Sequence, residues 1–406
     1  MNFLSDPVTF IGNWLTGLVA SLGMPKETAA AWVTGVAVGI LPLLAMLWVL
    51  VLIWYERKVI GRLQDRPGPN RVGPFGLIQP VADMLKIFLK EHILPAGVDR
   101  IPYNLAPILA VGGVLGMWIV VPFSATVHGV DINVGALYII AVGAIGTLGI
   151  IFAGYSSNNK YALLAAFRVV AQLISYEIPM VLALLVPVLL ARSMGMNTIV
   201  QAQPVWFILA APLAALLFFI SSIAEVGRSP FDLAEAESEI VAGFNTEYSG
   251  LKFGMFYVGE FLHAFTNSLI FTALFLGGWQ GPGAEQFPIL GFIYFFLKTV
   301  VVHFLGIAIR GSMPRFRIDQ VMQLNWKLFT PIALAAFSAA ALVEKLAANL
   351  GDAARIGIHI LVNAVILGVV LLIGSRVFKA RGIRLDALAE RNRAAVKLSM
   401  EKSHDS

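Results

Sequence analysis

Apolar and polar residues fall along this chain in long blocks rather than short alternations. Nine predominantly apolar runs occur at 32–55, 103–123, 132–154, 163–190, 204–224, 253–279, 287–309, 328–347 and 356–378. Each is about as long as the roughly 20 residues that cross a hydrocarbon core of about 30 Å. The pattern predicts an all-α polytopic membrane bundle of about nine transmembrane helices. A shorter apolar run, 8–22, lies inside an N-terminal arm (1–31) that contains Asp6 and no basic start. That arm reads as interfacial, and it lacks the basic opening of a cleaved signal peptide.

Polar residues gather in a few connections. Loop 56–102 is long and mixed, loop 225–252 acidic, loop 310–327 basic, and the tail from Lys379 charged. Three regions follow: the arm 1–31, a membrane bundle 32–347 holding those loops, and a further helix with a charged tail, 348–406. In loop 56–102, the run Arg66-Pro-Gly-Pro-Asn-Arg-Val-Gly-Pro74 is too rich in proline and glycine for a helix. After it, Gln79, Asp83, Lys86 and Lys90 share one side of 75–91, while Val81, Leu85, Phe88 and Leu89 take another. This predicts an amphipathic helix lying at the membrane surface, with Pro80 in its first turn.

Lysine and arginine number 22 in the loops after odd-numbered spans plus the tail, and 3 on the opposite side. The imbalance predicts an N-terminus outside and a C-terminus in the cytoplasm.

Composition narrows the function. At 58% hydrophobic and 13% charged residues, with mean hydropathy +0.81, the chain is no soluble domain. It carries no cysteine, so it supplies no thiolate to an iron–sulfur cluster. Neither a phosphate-binding loop nor a nucleotide fingerprint is present. The glycines at 112, 113 and 116 and at 143, 146 and 149 sit inside spans, where close helix packing explains them. No metal site and no nucleic-acid surface is expected.

The candidate chemistry is acidic. Glu225, Asp232, Glu235, Glu237, Glu239 and Glu247 share a stretch with one cation, Arg228, giving a formal charge of −5 in a chain of +5. Like charges beside a low-dielectric slab cannot all stay ionised, so such a cluster suits proton handling. Asp232 and Glu235 also have capping-box spacing, a purely structural use. Ile240, Val241 and Phe244 interleave with the acids and imply partial burial. Within the spans, Arg168, Gln172 and Ser175 share a face with Glu177 just beyond, where Pro179 should loosen the backbone. Glu260, His263 and Asn267 share another face, and Lys298 and His303 lie in the seventh span. Each is costly in a bilayer, so each is either an interhelical tie or a functional group. Asp83 with Lys86 can be an ordinary helix ion pair or can face a cavity shared with a partner. Arg57, Arg62, Arg66 and Arg71 can anchor anionic lipid.

Several runs together resemble one family, the quinone-site membrane subunit of respiratory complex I, known in bacteria as the H subunit of NADH:quinone oxidoreductase. They are Glu56-Arg57-Lys58, Arg66 to Pro80, Asp83-Met-Leu-Lys86, Ser157 to Leu164, Ser175-Tyr-Glu-Ile-Pro179, Ala224 to Gly250, Pro314 to Gln320, and Trp326-Lys327. The resemblance covers roughly residues 35 to 345. It implies that Arg57, Asp83, Met84, Lys86 and Arg228 line or border a quinone cavity. It implies that Glu177, Glu225, Asp232, Glu235, Glu237, Glu239, Glu247 and Glu260, with Arg228 among them, form a proton path from that cavity to the membrane arm. Arg315, Arg317 and Asp319 would shape the face that docks the peripheral arm. The implied substrate is quinone, with no flavin, iron–sulfur cluster or metal on this chain. The implied partners are the other membrane-arm subunits, the peripheral-arm subunits carrying the terminal iron–sulfur cluster and the quinone headgroup site, and the lipid of a bacterial inner membrane. Some relatives carry a glutamate in the third span where this chain has Ala144. Residues 1–31 and those after about 350 match no motif.

Other readings predict different features. A stand-alone proton or cation antiporter would spread charges through broken spans. A b-type cytochrome anchor would need paired axial histidines, for which only His263 and His303 qualify. The membrane subunit of a proton-pumping hydrogenase resembles the chain more weakly. The electron donor (NADH, F420H2 or ferredoxin) and the choice of ubiquinone or menaquinone are left open.

Overall fold

The computed structural model describes residues 7–21, 23–233, 237–347, 351, 354–372 and 375. Their helices, in order, are α1 (Pro7–Ala20), α2 (Lys26–Leu63), α3 (Gln79–Leu89), α4 (Arg100–Trp118), α5 (Gly135–Ser156), α6 (Lys160–Ala191), α7 (Met196–Gln201), α8 (Phe207–Ala210), α9 (Pro212–Glu225), α10 (Glu237–Ile240), α11 (Gly250–Phe275), α12 (Pro288–Ser312), α13 (Ile318–Leu324), α14 (Thr330–Leu346) and α15 (Ala354–Leu372). β-pairing is limited, among the described residues, to an isolated antiparallel bridge between Pro122 and His128. The fold is an all-α polytopic bundle. The tail from Lys379 lies outside the described residues.

Eight of the described helical runs are long and apolar enough to cross a membrane: α2, α4, α5, α6, α11, α12, the run Ile318–Leu346, and α15. The predicted fifth span differs. Instead of one continuous helix it forms α8, a break at Ala211, and the 14-residue α9. Pro212 offers no backbone N–H, and Ala211 leaves the helical region at φ −133, ψ 61. The buried Gln203 side chain mends the region around the break. Its Nε2 donates to the carbonyls of Ala273 (2.9 Å) and Leu274 (3.1 Å), and its Oε1 accepts from the amides of Phe207 (3.3 Å) and Gly277 (2.9 Å).

Pro179, by contrast, does not interrupt its helix. α6 runs 32 residues straight through Pro179 and Pro187. Packing on its neighbours sustains it, with Ser175, Tyr176, Pro179 and Met180 all buried. α13 and α14 are joined by a π-turn over Asn325–Phe329, so the eighth span begins earlier than its hydropathy suggests. α1 is a 14-residue helix folded against α2, too short to span.

Two of the glycines of α4 and α5, Gly113 and Gly149, have the close-packing role expected of the set, whereas a β-carbon on Gly112 would meet nothing within 4 Å. A β-carbon on Gly113 would come within 2.7 Å of the Gly146 amide nitrogen, and one on Gly149 within 2.7 Å of the Ala106 carbonyl. The two backbones therefore touch, as small-residue helix contacts in lipid allow. The main core lies among α2, α4, α6, α9, α11 and α12, where Leu184, Leu262, Leu269, Phe275 and Phe295 are fully buried. Two smaller apolar clusters pin the acidic loop. Phe231 and Leu233 pack with Tyr176 and Val321, while Ile240, Phe244 and Tyr248 pack with Tyr103 and Phe256. Val241, expected among the buried residues, is instead exposed.

At the far end of the bundle a polar cluster fastens α15. The buried Glu344 carboxylate of α14 faces Arg192 (3.5 Å), Arg355 (3.5 Å) and His359 (3.2 Å). Asn363 donates to the Ala210 carbonyl at 3.1 Å.

Candidate functional site

The site starts where α2 ends. This helix has 38 residues, about 57 Å at 1.5 Å per residue, so it outruns a hydrocarbon core. The loop after it folds back on its last turns: Lys58 Nζ donates to the Pro69 carbonyl at 2.9 Å and Trp54 Nε1 to that of Phe75 at 3.1 Å. Gly73 and Gly76 adopt φ of 74 and 78, which their lack of a β-carbon permits, and turn the chain into α3. α3 is the predicted amphipathic helix, 11 residues long, with Pro80 in its first turn.

Two consecutive residues at this end point to different places. Arg57 turns outward to α3, its Nη1 donating to Asp83 Oδ2 at 2.6 Å, with Lys86 3.7 Å from the other Asp83 oxygen. Partial burial raises the Asp83 carboxyl, but the hydrogen bond and charge of Arg57, with Lys86 behind, outweigh it and hold it below the usual aspartate value. Met84 is half-buried beside this pair.

Glu56 turns inward. Only 3% exposed, it accepts from two arginines: Arg228, which follows α9, and Arg310, on the last turn of α12. Arg228, 7% exposed, also donates from Nε to Glu260 of α11 at 3.0 Å, and its guanidinium lies 4.4 Å from the Phe261 ring centroid. Two carboxylates and two guanidiniums from four separate segments thus form one charge-balanced network, with Glu56 and Arg228 buried and Glu260 and Arg310 partly exposed. Such ions are tolerated in a dry interior because each has a partner.

A second group sits beside it. Glu225, the last residue of α9, accepts from Asn267 Nδ2 at 3.0 Å and lies 3.7 Å from His263 Nε2. Glu225, Glu260 and His263 line one cavity of about 90 Å³ between α4, α5, α6 and α11. Arg228, Asn267, His303 and Arg310 line a second, of about 40 Å³. Glu177 and Glu225 meet Ala144 and Tyr176 around a third, of about 20 Å³. Ala144, where some relatives are expected to carry a glutamate, therefore faces the two acids. These cavities have the scale of a few water molecules.

The remaining sequence-predicted residues are less tightly joined. Glu239 is an exposed partner of Arg168, which favours the tie among the two readings open for that arginine. Glu247 accepts from Asn159 Nδ2 at 2.7 Å, and its backbone carbonyl accepts from the Tyr103 hydroxyl at 2.8 Å. Asp232 is half-buried. Glu235 lies outside the described residues, and with it half of the expected capping pair. Of Glu237 only the backbone, at the start of α10, is described. Arg57, Asp83, Met84 and Lys86 line none of the three cavities. Arg228, grouped with them from sequence, belongs to the inner network. Arg315 and Arg317 lie in the basic loop with Asp319 just after it, and the Phe316 amide donates to the Pro230 carbonyl at 3.0 Å, tying that loop to the acidic one.

Several ionisable groups have structural roles. Lys298 sets its ammonium among the carbonyls of Leu276 (2.9 Å), Gly278 (3.0 Å) and Gln280 (2.9 Å), fastening the end of α11. Gln172 donates to the Ala224 (2.7 Å) and Phe231 (3.0 Å) carbonyls, holding α6 to the acidic loop. His303 stacks on Tyr55 while His263 faces Glu225. Among the described residues no three of His, Cys, Asp or Glu converge as metal ligands.

Glu56, Arg310, His263 and Asn267 join the site although no acid-rich motif points to them. For Glu56 a signal does exist in the sequence: it directly follows the first apolar span, where a carboxylate has no local use.

The profile of the NADH dehydrogenase family matches residues 36–341. The chain is 49% identical over 337 residues to the NADH-quinone oxidoreductase H subunit of Dehalococcoides mccartyi strain CBDB1, covering 83% of this chain and 93% of that one. It is 47% identical over 293 residues to the second NADH-quinone oxidoreductase H subunit of Geobacter sulfurreducens, covering 70% and 88%. With the corresponding H subunit of a Geobacillus species it shares 44% over 326 residues, covering 79% and 98%.

Proposed function

We propose, from the premise that this chain belongs to the NADH dehydrogenase family as a membrane H subunit of NADH-quinone oxidoreductase, complex I, that it borders the quinone path and converts quinone reduction into proton movement. The observation that carries this reading is the divergence at the end of α2. Arg57 joins a surface site with Asp83 and Lys86, while Glu56 joins the buried network of Arg228, Arg310 and Glu260. A charge change at the first is one residue from the second.

Quinone reduction consumes two electrons and two protons. A quinone near Arg57 and Asp83 changes the local charge as it is reduced. Coupled carboxylates in a low dielectric respond by changing which of them holds a proton. Glu260, Glu225 and Glu177 then form the inner end of the path, and Asp232, Glu235, Glu237, Glu239 and Glu247 its acidic mouth. Each of the three cavities described above is smaller than a quinone, and in this reading partner subunits complete the quinone chamber beside Arg57 and Asp83. The exposed apolar residues Leu85 and Phe88 of α3, next to Met84, face outward for that purpose. Electrons arrive from peripheral-arm subunits docked near Arg315, Arg317 and Asp319. The excess of basic residues in the loops after odd-numbered spans supports a cytoplasmic position for this face, with the chain in a bacterial inner membrane.

The test is Glu225→Gln, alone and with Glu237→Gln, in the assembled complex. NADH oxidation by an artificial acceptor should persist, while quinone reduction with pumping falls by about 100-fold, the lower end of what a positioned proton-transfer group contributes. Wild-type turnover and pumping in the assembled double variant would overturn the reading.

A further inference from the structure

We propose that His263 carries protons between Glu225 and Glu260, making it a working member of the path rather than a packed core histidine. The inference rests on the proton-path reading above and adds to it a residue that none of the acid motifs contains.

Glu225 and Glu260 stand on different helices, and one of them is already committed. Glu260 is held by Arg228. Glu225 Oε2 is occupied by Asn267, which leaves Oε1 toward His263. Of the residues lining the cavity of about 90 Å³, three titrate: Glu225, Glu260 and His263. His263 stands one helical turn from Glu260, a spacing that puts both side chains on the same face of α11.

The ring nitrogen nearest Glu225 is peculiar for a buried group. Nε2 of His263 is shielded from solvent yet has no hydrogen-bond partner. An orphaned buried polar atom costs about 1–3 kcal/mol, so one beside a carboxylate in a polar cavity calls for a reason. The gap of 3.7 Å to Glu225 is about 0.5 Å beyond a good hydrogen bond, and a small ring rotation closes it. The cavity exceeds the roughly 10–15 Å³ one water needs, so water can complete the link to Glu260.

The step balances simply. Protonated Glu225 gives its O–H proton to the Nε2 lone pair, leaving a carboxylate and an imidazolium. The imidazolium passes one proton through water to the Glu260 carboxylate and returns to neutral. The charges facing the ring are Glu225 from α9, Glu260 from its own helix, and Arg228 behind Glu260. The α4, α5 and α6 walls bring uncharged residues such as Ala110, Gly146 and Gln172.

The experiment uses the complete complex with His263→Gln, His263→Phe and, separately, Glu225→Gln. Glutamine keeps a hydrogen-bonding head but cannot exchange a proton. His263→Gln should keep full NADH oxidation by an artificial acceptor and lose ~10-fold or more of pumping-coupled quinone turnover. Infrared difference spectra of wild-type complex with ring-labelled histidine should show an imidazole protonation change on quinone reduction, absent in His263→Gln. Low yield of His263→Phe with fully active His263→Gln would assign the residue to packing and overturn the inference. Normal turnover and pumping in His263→Gln, with Glu225→Gln impaired, would overturn it while leaving the path intact. Normal behaviour in both variants would overturn the path as well.

Discussion

Replacing Arg228 with glutamine strikes the cation that joins Glu56 to Glu260. Its guanidinium makes two charge-assisted hydrogen bonds and covers the Phe261 ring while being only 7% exposed. Without it, Glu260 loses the cation that holds it, and Glu56 keeps Arg310 alone. Breaking a buried ion pair by deleting one partner costs about 3–5 kcal/mol. The remaining Arg310 and the partial exposure of Glu260 place the cost near the lower end, about 3 kcal/mol, or roughly 100-fold in the folded population. Arg228→Lys keeps the charge but not the fork that reaches both acids, so it should lose about one charge-assisted bond, roughly 1.5–3 kcal/mol. The readouts are assembled complex on native gels and the temperature at which brief heating halves quinone reductase activity. Wild type should rank first, Arg228→Lys second and Arg228→Gln last. Because Glu260 owes its pairing to Arg228, adding Glu260→Gln to Arg228→Gln should cost less than the two single changes combined. Arg228→Gln as heat-stable as wild type, or losses that add to within about 0.5 kcal/mol, would refute the network.

Asp83→Asn frees Arg57 and should change quinone kinetics or inhibitor affinity; unchanged values would make the pair a plain helix tie. Asp83 is depressed in the folded chain, so its contribution is complete above the ordinary aspartate value of about 4 and is lost as pH falls through the lower folded value. Inhibitor binding that depends on this pair should therefore stay level from neutral pH down to about pH 4, measured by titration of the intact complex. Gly113→Val places a β-carbon 2.7 Å from the Gly146 nitrogen and should sharply lower the yield of assembled complex, whereas Gly112→Ala, whose β-carbon meets nothing within 4 Å, should not.

Much of the architecture is legible in the sequence because lipid demands it. A run of apolar residues about 20 long has few structural options, so spans, the surface helix and the glycine seam of α4 and α5 emerge directly. The fifth span is less legible: hydropathy averages over Ala211 and Pro212, and only the backbone shows that they divide it. The site is half legible. Clustered acids and the Arg57–Asp83 pair stand out, since each lies within a recognisable motif. The partners of Glu56 do not, because Arg228 is 172 positions away and Arg310 is 254. The position of Glu56 right after the first apolar span marks it out from Arg57 and Lys58, but does not tell which partners it meets. His263 is visible as a polar residue in an apolar span, but its meaning comes from Glu225 on another helix.

The cluster around Glu344 makes the last helix something other than an optional appendage. The family profile ends at residue 341, yet the carboxylate three residues later is satisfied largely by side chains that come after it, Arg355 and His359. A shortened version of this chain would strip the Glu344 carboxylate of Arg355 and His359 and leave it facing Arg192. Position 344 and the terminal helix should therefore be gained or lost together in descent: lineages lacking the extension should carry a neutral residue there.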